Sequence, residues 1–335
     1  MALRMLEVHL PTEQGETATS VLREVGATEV WSEDDGPFKH SIKAILGSER
    51  TGTALDELHN CLSPTGAFRV LVTPLDAVLP RPRATGETKD RDRPETFAAV
   101  SREEVYAAVQ EGSRVTGTFL VMVGLATIVA AIGLTQDNTA AVIGAMVVAP
   151  LLGPNMGIAL GISLGDRQLL REAMRASIYG ISIAFFMSVG LGLLLAVDPL
   201  ISEVNSRTHV APTDMLLAFA AGAAGTVAYT SGAPTYLVGV MVAVALLPPT
   251  VVSGLLVGGG YFREAYGALL LVSTNVVAVT LAAIVTFRAS GMRPRHWWQA
   301  EKARSSSRIG FAVFAALVIL LGALTFISRA ALESN

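Results

Sequence analysis

Apolar residues dominate the chain from Val115 onward, where long hydrophobic segments are separated by short polar loops. About 20 consecutive apolar residues are enough for a helix to cross the hydrocarbon core of a bilayer. The pattern therefore predicts seven membrane-spanning helices, of which the fourth is short and rich in Ala and Gly. Their approximate bounds are Val115–Leu134, Thr139–Leu164, Ala173–Val197, Met215–Tyr229, Tyr236–Gly258, Ala265–Phe287 and Ile309–Ile327.

The first 80 residues have a different pattern, in which short alternating segments are interspersed with amphipathic ones. The alternating segments predict strands at Leu3–Leu10, Thr28–Trp31, His40–Leu46 and Phe68–Leu75, and the amphipathic ones predict helices at Glu13–Val25 and Ala54–Leu62. The order β-α-β-β-α-β is typical of an α+β ferredoxin-like sandwich. We therefore expect a soluble N-terminal domain, with either a ligand-binding regulatory role or a packing and assembly role.

Residues 81–113 connect this domain to the membrane part. The stretch P-R-P-R-A-T-G-E-T-K-D-R-D-R-P is charged and Pro-bearing, which indicates an extended linker. Ser101 and Glu104 then have the spacing of a capping box at the start of a connector helix. The predicted domains are thus 1–80, the linker and connector at 81–113, and a transmembrane domain at 114–330.

Composition narrows the class of protein. Apolar residues make up 51% of the chain and charged residues 16%, which indicates an integral membrane protein. The single cysteine, Cys61, excludes an intrachain disulfide, and the histidines of the first domain are scattered, so we predict no metal and no cofactor. The spans contain no Ser/His/Asp set, no H-E-x-x-H and no paired aspartates, so an enzyme is not expected.

Basic residues favour one orientation in the membrane. The loops at 165–175 and 288–308 carry nine Arg or Lys residues, whereas the loops on the opposite side carry only Arg207 and Arg263. This positive-inside bias predicts an inner (plasma) membrane protein with a cytoplasmic N-terminal domain. The N-terminus lacks a long apolar run, so we expect no cleaved signal peptide.

Two of the predicted spans are near-repeats of each other, 95 residues apart. Around Ile143 the chain reads I-G-A-M-V-V-A-P-L-L-G-P, and around Val238 it reads V-G-V-M-V-A-V-A-L-L-P-P. Two complete spans separate the segments, so the second runs opposite to the first if both cross fully. Three spans plus three spans then form an inverted repeat, with the seventh span as an addition, as in many transporters. A re-entrant segment would change this parity.

Both repeat segments contain helix-breaking residues. Proline removes a backbone donor and disfavours helical geometry at the residue before it, and groups freed inside a bilayer must be satisfied by protein, water or ligand. We predict two broken helices whose ends bind a small solute or ion, with Asn155 as the N-cap of the second half of the first helix. Simple kinks in continuous spans are the alternative. The residues concerned are Pro150, Gly153, Pro154 and Asn155 in the first segment and Pro248, Pro249 and Thr250 in the second.

Other polar and small residues within the spans complete the candidate set. Thr274 and Asn275 lie mid-span in the sixth segment and predict either an interhelical hydrogen bond or a ligand contact. Glycines at every fourth position predict close helix packing or the lining of a narrow pathway, and they also favour a homo-oligomer. The aspartates fall at span ends, where capping or interfacial solvation explains them, so no proton relay is predicted. The glycines are Gly153, Gly157, Gly161 and Gly165, and the aspartates are Asp137, Asp166, Asp198 and Asp214.

One stretch resembles a known family. The run N-T-A-A-V-I-G-A-M-V-V-A-P-L-L-G-P-N-M-G-I-A-L-G-I-S-L-G-D, preceded by S-R-E-E-V-Y and the first span, is similar to a prokaryotic membrane family catalogued as domain of unknown function 389, an uncharacterised hydrophobic domain. The resemblance covers roughly Ser101 to Phe287. It implies a multi-pass membrane protein and carries no established activity, so no functional residue transfers from it.

The sequence thus leads to two main hypotheses. The first is a transporter or channel for a small solute or ion, which should lose activity without unfolding when Asn155 or Thr250 is changed. The alternative is a membrane receptor or signalling scaffold, which should tolerate those changes but fail without residues 1–80. The expected partners are the lipid bilayer, a small solute or ion and further copies of the chain, and we expect no nucleic acid.

Overall fold

The computed structural model describes residues 3–33, 40–62, 68–75, 100–232 and 235–292, together with six isolated positions between 312 and 323. Its internal contacts divide the chain into two units, Met1–Glu104 and Val105–Asn335. The predicted linker, most of the second basic loop and most of the predicted seventh span lie outside the described residues.

The first unit is built on a four-stranded antiparallel sheet with the strand order β2-β3-β1-β4. Alternate residues of β1 are buried, and three of these four, Leu6, Val8 and Leu10, are apolar. Leu6 shares a core with Leu22 and Leu58 of the two helices. The predicted β-α-β-β-α-β order is therefore confirmed. The elements are β1 (Leu3–Leu10), α1 (Gly15–Glu24), β2 (Glu29–Glu33), β3 (His40–Gly47), α2 (Ser48–Leu62) and β4 (Arg69–Leu75).

The predicted capping box is present at the start of α3 (Arg102–Gly112). The backbone N–H of Glu104 donates to Ser101 Oγ at 3.3 Å, and the N–H of Ser101 donates to Glu104 Oε2 at 3.0 Å. Arg4 in β1 forms an ion pair with the same carboxylate. The first turn of α3 is thereby tied to the sheet.

The second unit is helical. Among the described residues, three helices are long and apolar enough to cross a membrane: α4 (Gly117–Thr135), α7 (Arg167–Leu194) and α11 (Phe262–Ala289). The pair α5 (Thr139–Val148) and α6 (Leu152–Leu164), bent by 52°, would be a fourth if it forms one span. Helix α9 and the apolar stretch Val242–Gly258 of α10 do not meet the same requirement, so the count of seven spans stays a prediction. The helices are α4 (Gly117–Thr135), α5 (Thr139–Val148), α6 (Leu152–Leu164), α7 (Arg167–Leu194), α8 (Ser202–Asn205), α9 (Pro212–Ser231), α10 (Thr235–Gly258) and α11 (Phe262–Ala289).

Two of the four aspartates that the sequence places at helix ends, Asp166 and Asp214, cap their helices as predicted. Asp166 is the N-cap of α7, and its Oδ1 accepts the N–H groups of Gln168 and Leu169. Asp214 Oδ2 accepts the N–H of Ala211 at the start of α9. These carboxylates satisfy backbone donors that the first turn of a helix leaves free.

The long helices α7 and α11 pack against the helices that carry the repeated proline segments. Helix α7 packs along α10, and α11 packs against both α10 and α6. Glycines bring the backbones of α7 and α10 together, because a Cβ atom on Gly192 would overlap with the carbonyl of Leu255, and one on Gly258 would overlap with that of Val189. Small residues at such positions allow close approach of helices in membranes.

Candidate functional site

The first proline element, Pro150–Asn155, is a true break in the helix. Ala149, the residue before Pro150, has φ −72° and ψ 119°, an extended conformation, and α6 begins at Leu152 after the 52° bend. Proline disfavours helical geometry at the residue before it, which explains why the first half ends here. Pro154 is the third residue of α6, where a missing N–H leaves no helical hydrogen bond unmade.

Asn155 is not an N-cap, contrary to the prediction. It is the fourth residue of α6, because Pro154 is accommodated within the first turn and the helix therefore starts one turn earlier. The side chain is 2% exposed, and its Nδ2 donates to the carbonyl of Leu151 at 2.9 Å. Its Oδ1 is buried and has no hydrogen-bond partner.

The second proline element, Pro248–Thr250, does not break its helix, which corrects the prediction of two broken helices. Helix α10 continues through Pro248 and Pro249. Pro249 has no N–H to offer the carbonyl of Ala245, and Asn275 on α11 fills that role, since its Nδ2 donates to Ala245 O at 2.8 Å. An amide from a neighbouring helix thus compensates for the missing backbone donor.

Asn275 therefore makes the interhelical hydrogen bond that the sequence left as one of two alternatives. The residue is 4% exposed, and its Oδ1 has no hydrogen-bond partner. Thr274, fully buried beside it, has an Oγ1 that likewise makes no hydrogen bond. Thr250 differs, because its Oγ1 donates to Leu246 O at 2.7 Å within α10. Its hydroxyl is therefore hydrogen-bonded within the same helix that carries the two prolines.

The structure brings the predicted site residues together only in part. Asn275 joins the second proline element directly through Ala245, and α11 also packs against α6, the helix of Asn155. Among the described residues, no hydrogen bond links Asn155 to the second element. Pro150 is half-buried, whereas Pro154, Pro248 and Pro249 are buried.

The glycine stripe is a packing surface, except at its last member. A Cβ atom on Gly153 would overlap with the carbonyl of Gly112, one on Gly157 with Ser113, and one on Gly161 would meet the backbone of Leu170. Gly165 instead ends α6 with φ 71°, a left-handed conformation that glycine adopts without strain. The three close contacts favour the packing interpretation for Gly153, Gly157 and Gly161.

The C-terminal end of α3 packs directly against the break between α5 and α6. This contact was not predicted from the sequence. Ser113 Oγ donates to Gly153 O at 3.1 Å and to Val109 O at 2.7 Å. At the other end of α6, Tyr106 OH donates to Asp166 Oδ2 at 2.7 Å. Burial, and then this hydrogen bond, raise the pKa of the Tyr106 phenol. Both contacts fix α3 against α6.

Ser188 is a further polar residue that the sequence did not single out. It lies on α7 against Gly254 of α10, is fully buried, and its Oγ makes no hydrogen bond. The only sequence signal is the glycine spacing on the facing helix. No group of three or more His, Cys, Asp or Glu residues suited to a metal ion occurs within the described ranges.

Comparison with known proteins agrees with the resemblance seen in the sequence. The family model described as Domain of unknown function (DUF389) matches residues 146–281, which include the α5–α6 break, the Pro248–Pro249 pair and Asn275. The Uncharacterized protein MJ0678 of Methanocaldococcus jannaschii is 30% identical over 235 residues, which cover 70% of this chain and 72% of the relative. No solved structure matches. With its apolar helices, this chain therefore belongs to the DUF389 family of membrane proteins.

Proposed function

We propose that this protein is a membrane transporter or channel for a small solute or ion, with its site at the two proline elements. The observation that carries the proposal is the hydrogen-bonding arrangement that Asn155 and Asn275 share. Each amide donates through Nδ2 to a backbone carbonyl at a proline element and leaves a buried Oδ1 without a partner.

Such atoms are costly unless something binds them. A buried polar atom without a hydrogen bond costs about 1–3 kcal/mol, and native proteins keep few of them. Within the described spans, the buried side-chain atoms without partners are all oxygens: Asn155 Oδ1, Ser188 Oγ, Thr274 Oγ1 and Asn275 Oδ1. Amide oxygens can only accept hydrogen bonds or coordinate cations. The ligand that fits them carries N–H or O–H donors or a positive charge.

The charge of the spans narrows the ligand further. The described spanning helices carry their charged side chains only toward their ends, so no carboxylate faces Asn155 or Asn275 from mid-span. Divalent cations in proteins are held mainly by carboxylates. We therefore favour a monovalent cation or a small neutral polar solute as the transported species.

Helix packing supports an inverted repeat as the frame of this site. The last helix of each three-span half, α7 or α11, packs against the proline-bearing helix of the other half, α10 or α6. A two-fold relation between the halves produces such an exchanged pattern. Transporters with inverted repeats place their sites between the halves, at discontinuous helices near the membrane midplane.

Flux into proteoliposomes tests the proposal. We expect the protein to accelerate the entry of Na⁺ or K⁺, followed with ion indicators, or of a neutral solute such as glycerol, followed by vesicle swelling. Asn155→Ala should abolish that flux. Ser163→Ala is the matched control, because this buried hydroxyl on the same helix has its partner, Ala159 O at 2.8 Å. Equal flux through wild type and Asn155→Ala, both folded, would exclude this site.

A signalling scaffold is the second candidate, and the seat of α3 on the break favours it. Ser113 and Gly112 contact Gly153 directly, so a movement of α3 would displace the residues at the break between α5 and α6. Deletion of residues 1–80 separates the candidates. A transporter retains a basal flux without that domain, whereas a scaffold loses its function while its spans stay intact.

A further inference from the structure

An open cleft of about 630 Å³ lies beside the junction between α3 and α4. One wall is the segment Ser113–Thr116, and the other is formed by Glu172, Arg175 and Tyr179 of α7. Small-ligand sites measure about 300–1,000 Å³, so the cleft is large enough for a lipid headgroup. None of its residues is needed for the site at the proline elements except Ser113, which touches Gly153.

The charges of the cleft favour an anion. Arg175 has no carboxylate partner among the described residues, and Arg114 has only an exposed contact with Glu111, at 3.4 Å. Exposed pairs of that kind contribute about 0–1 kcal/mol, so Arg114 is readily available to another anion. Glu172, the one acid of the lining, already accepts a hydrogen bond from Gln168 Nε2 at 3.0 Å. Two guanidinium groups thus face one carboxylate that is already engaged.

The surroundings of the cleft favour a lipid over a soluble anion. Along α7, Ile178 and Tyr179 are 59% and 54% exposed, and they lie three and four residues after Arg175, on the same face of the helix. Met174, four residues before Ile178, is 47% exposed and extends this apolar surface. Only 28% of the most apolar stretch of α7 is buried, against 72% for α11. The cleft is therefore at the point where a lipid-facing apolar surface meets a basic end.

We propose that this cleft binds the phosphate headgroup of an anionic phospholipid. The phosphodiester would lie between Arg114 and Arg175, and the acyl chains would run along the apolar face of α7. Basic pockets at the ends of transmembrane helices bind anionic headgroups in this way. The N-terminus of α4, which begins at Gly117 beside the cleft, adds partial positive charge on the same side.

Native mass spectrometry of the full-length protein tests the proposal. The protein is released from vesicles of equal parts phosphatidylglycerol and phosphatidylcholine, and the bound lipids are counted. We expect retention of phosphatidylglycerol, which the double variant Arg114→Gln/Arg175→Gln should weaken about fivefold per arginine, about 25-fold in all. Arg288→Gln is the matched control, an exposed arginine at the end of α11 that does not line the cleft.

Three results would overturn the proposal. The double variant could retain as much phosphatidylglycerol as wild type. Arg288→Gln could lose as much as the double variant, which would indicate general attraction to the basic surface. Millimolar glycerol phosphate could displace the lipid, which would make the cleft a site for a soluble phosphate. Melting curves of both variants, whose replaced side chains are exposed, show whether each is folded.

Discussion

The pair Thr274→Val and Thr280→Val isolates the role of the unpartnered oxygens. Both threonines lie on α11 and are at most 2% exposed. They differ in one respect, since Thr280 Oγ1 donates to Val276 O at 2.7 Å whereas Thr274 Oγ1 makes no hydrogen bond. Valine has nearly the same shape as threonine and is also β-branched, so the substitution changes little besides the hydroxyl.

The two substitutions should change the free energy of unfolding in opposite directions. A buried hydroxyl without a partner costs about 1–3 kcal/mol, and hydrogen bonds in membrane proteins contribute about 0.6 kcal/mol on average. Because the membrane-embedded unfolded state also offers partners, we expect Thr274→Val to stabilise the protein by about 0.5–2 kcal/mol. Thr280→Val should destabilise it by about 0.5–1 kcal/mol.

Reversible unfolding by sodium dodecyl sulfate in bicelles measures both changes, and the flux assay is run on the same samples. We expect Thr274→Val to be more stable than wild type yet slower in transport. The reason is that Thr274 Oγ1 destabilises the fold but, in the proposed site, contacts the transported ligand. Thr280→Val should transport normally. If Thr274→Val lowers stability as much as Thr280→Val does, the Thr274 hydroxyl is satisfied in the membrane and the reasoning fails.

Three further predictions follow from single contacts. Gly153→Ala should lower the melting temperature strongly because its methyl group would overlap with backbone, whereas Gly144→Ala, with open space around it, should stabilise α5 by up to about 1 kcal/mol. Asn275→Leu should cost about 1–3 kcal/mol in wild type but clearly less in a Pro249→Ala background, where the backbone N–H is restored; additive costs in a double-mutant cycle would contradict this. The raised pKa of Tyr106 stabilises the neutral phenol in the folded state, so its contribution is complete below the ordinary pKa of 10.0 and is lost as the pH rises through the folded value. Tyr106→Phe should flatten the fall in stability above pH 10.0, and an unchanged melting profile would count against the contact.

Local chemistry explains which features could be predicted from the sequence. The bend at Pro150 follows from the restriction that proline places on Ala149, and the cap at Asp166 follows from the free N–H groups of a first turn. The succession of strands and helices along the first unit likewise follows from its alternating and amphipathic segments. All of these depend on residues close together in the chain.

Contacts between distant residues were beyond the reach of the sequence pattern. Two adjacent prolines look like a break, and the amide that keeps α10 continuous comes from Asn275, 30 residues from Ala245. The seat of Ser113 on Gly153 spans 40 residues. The unpartnered oxygens are equally invisible, because a side chain lacks a partner only in relation to its folded surroundings. The span count and the inverted repeat stay predictions.

The backbone contact between α7 and α10 has a mechanical consequence. At Gly192 and Gly258 no side chain separates the two backbones, so sliding or rotation of one helix on the other would bring main-chain atoms into collision there. The contact therefore couples the two helices, although they come from different halves of the sequence. In the proposed transporter, a movement that opens and closes a pathway would therefore keep α7 and α10 together and divide the molecule along a line that the order of the chain does not reveal.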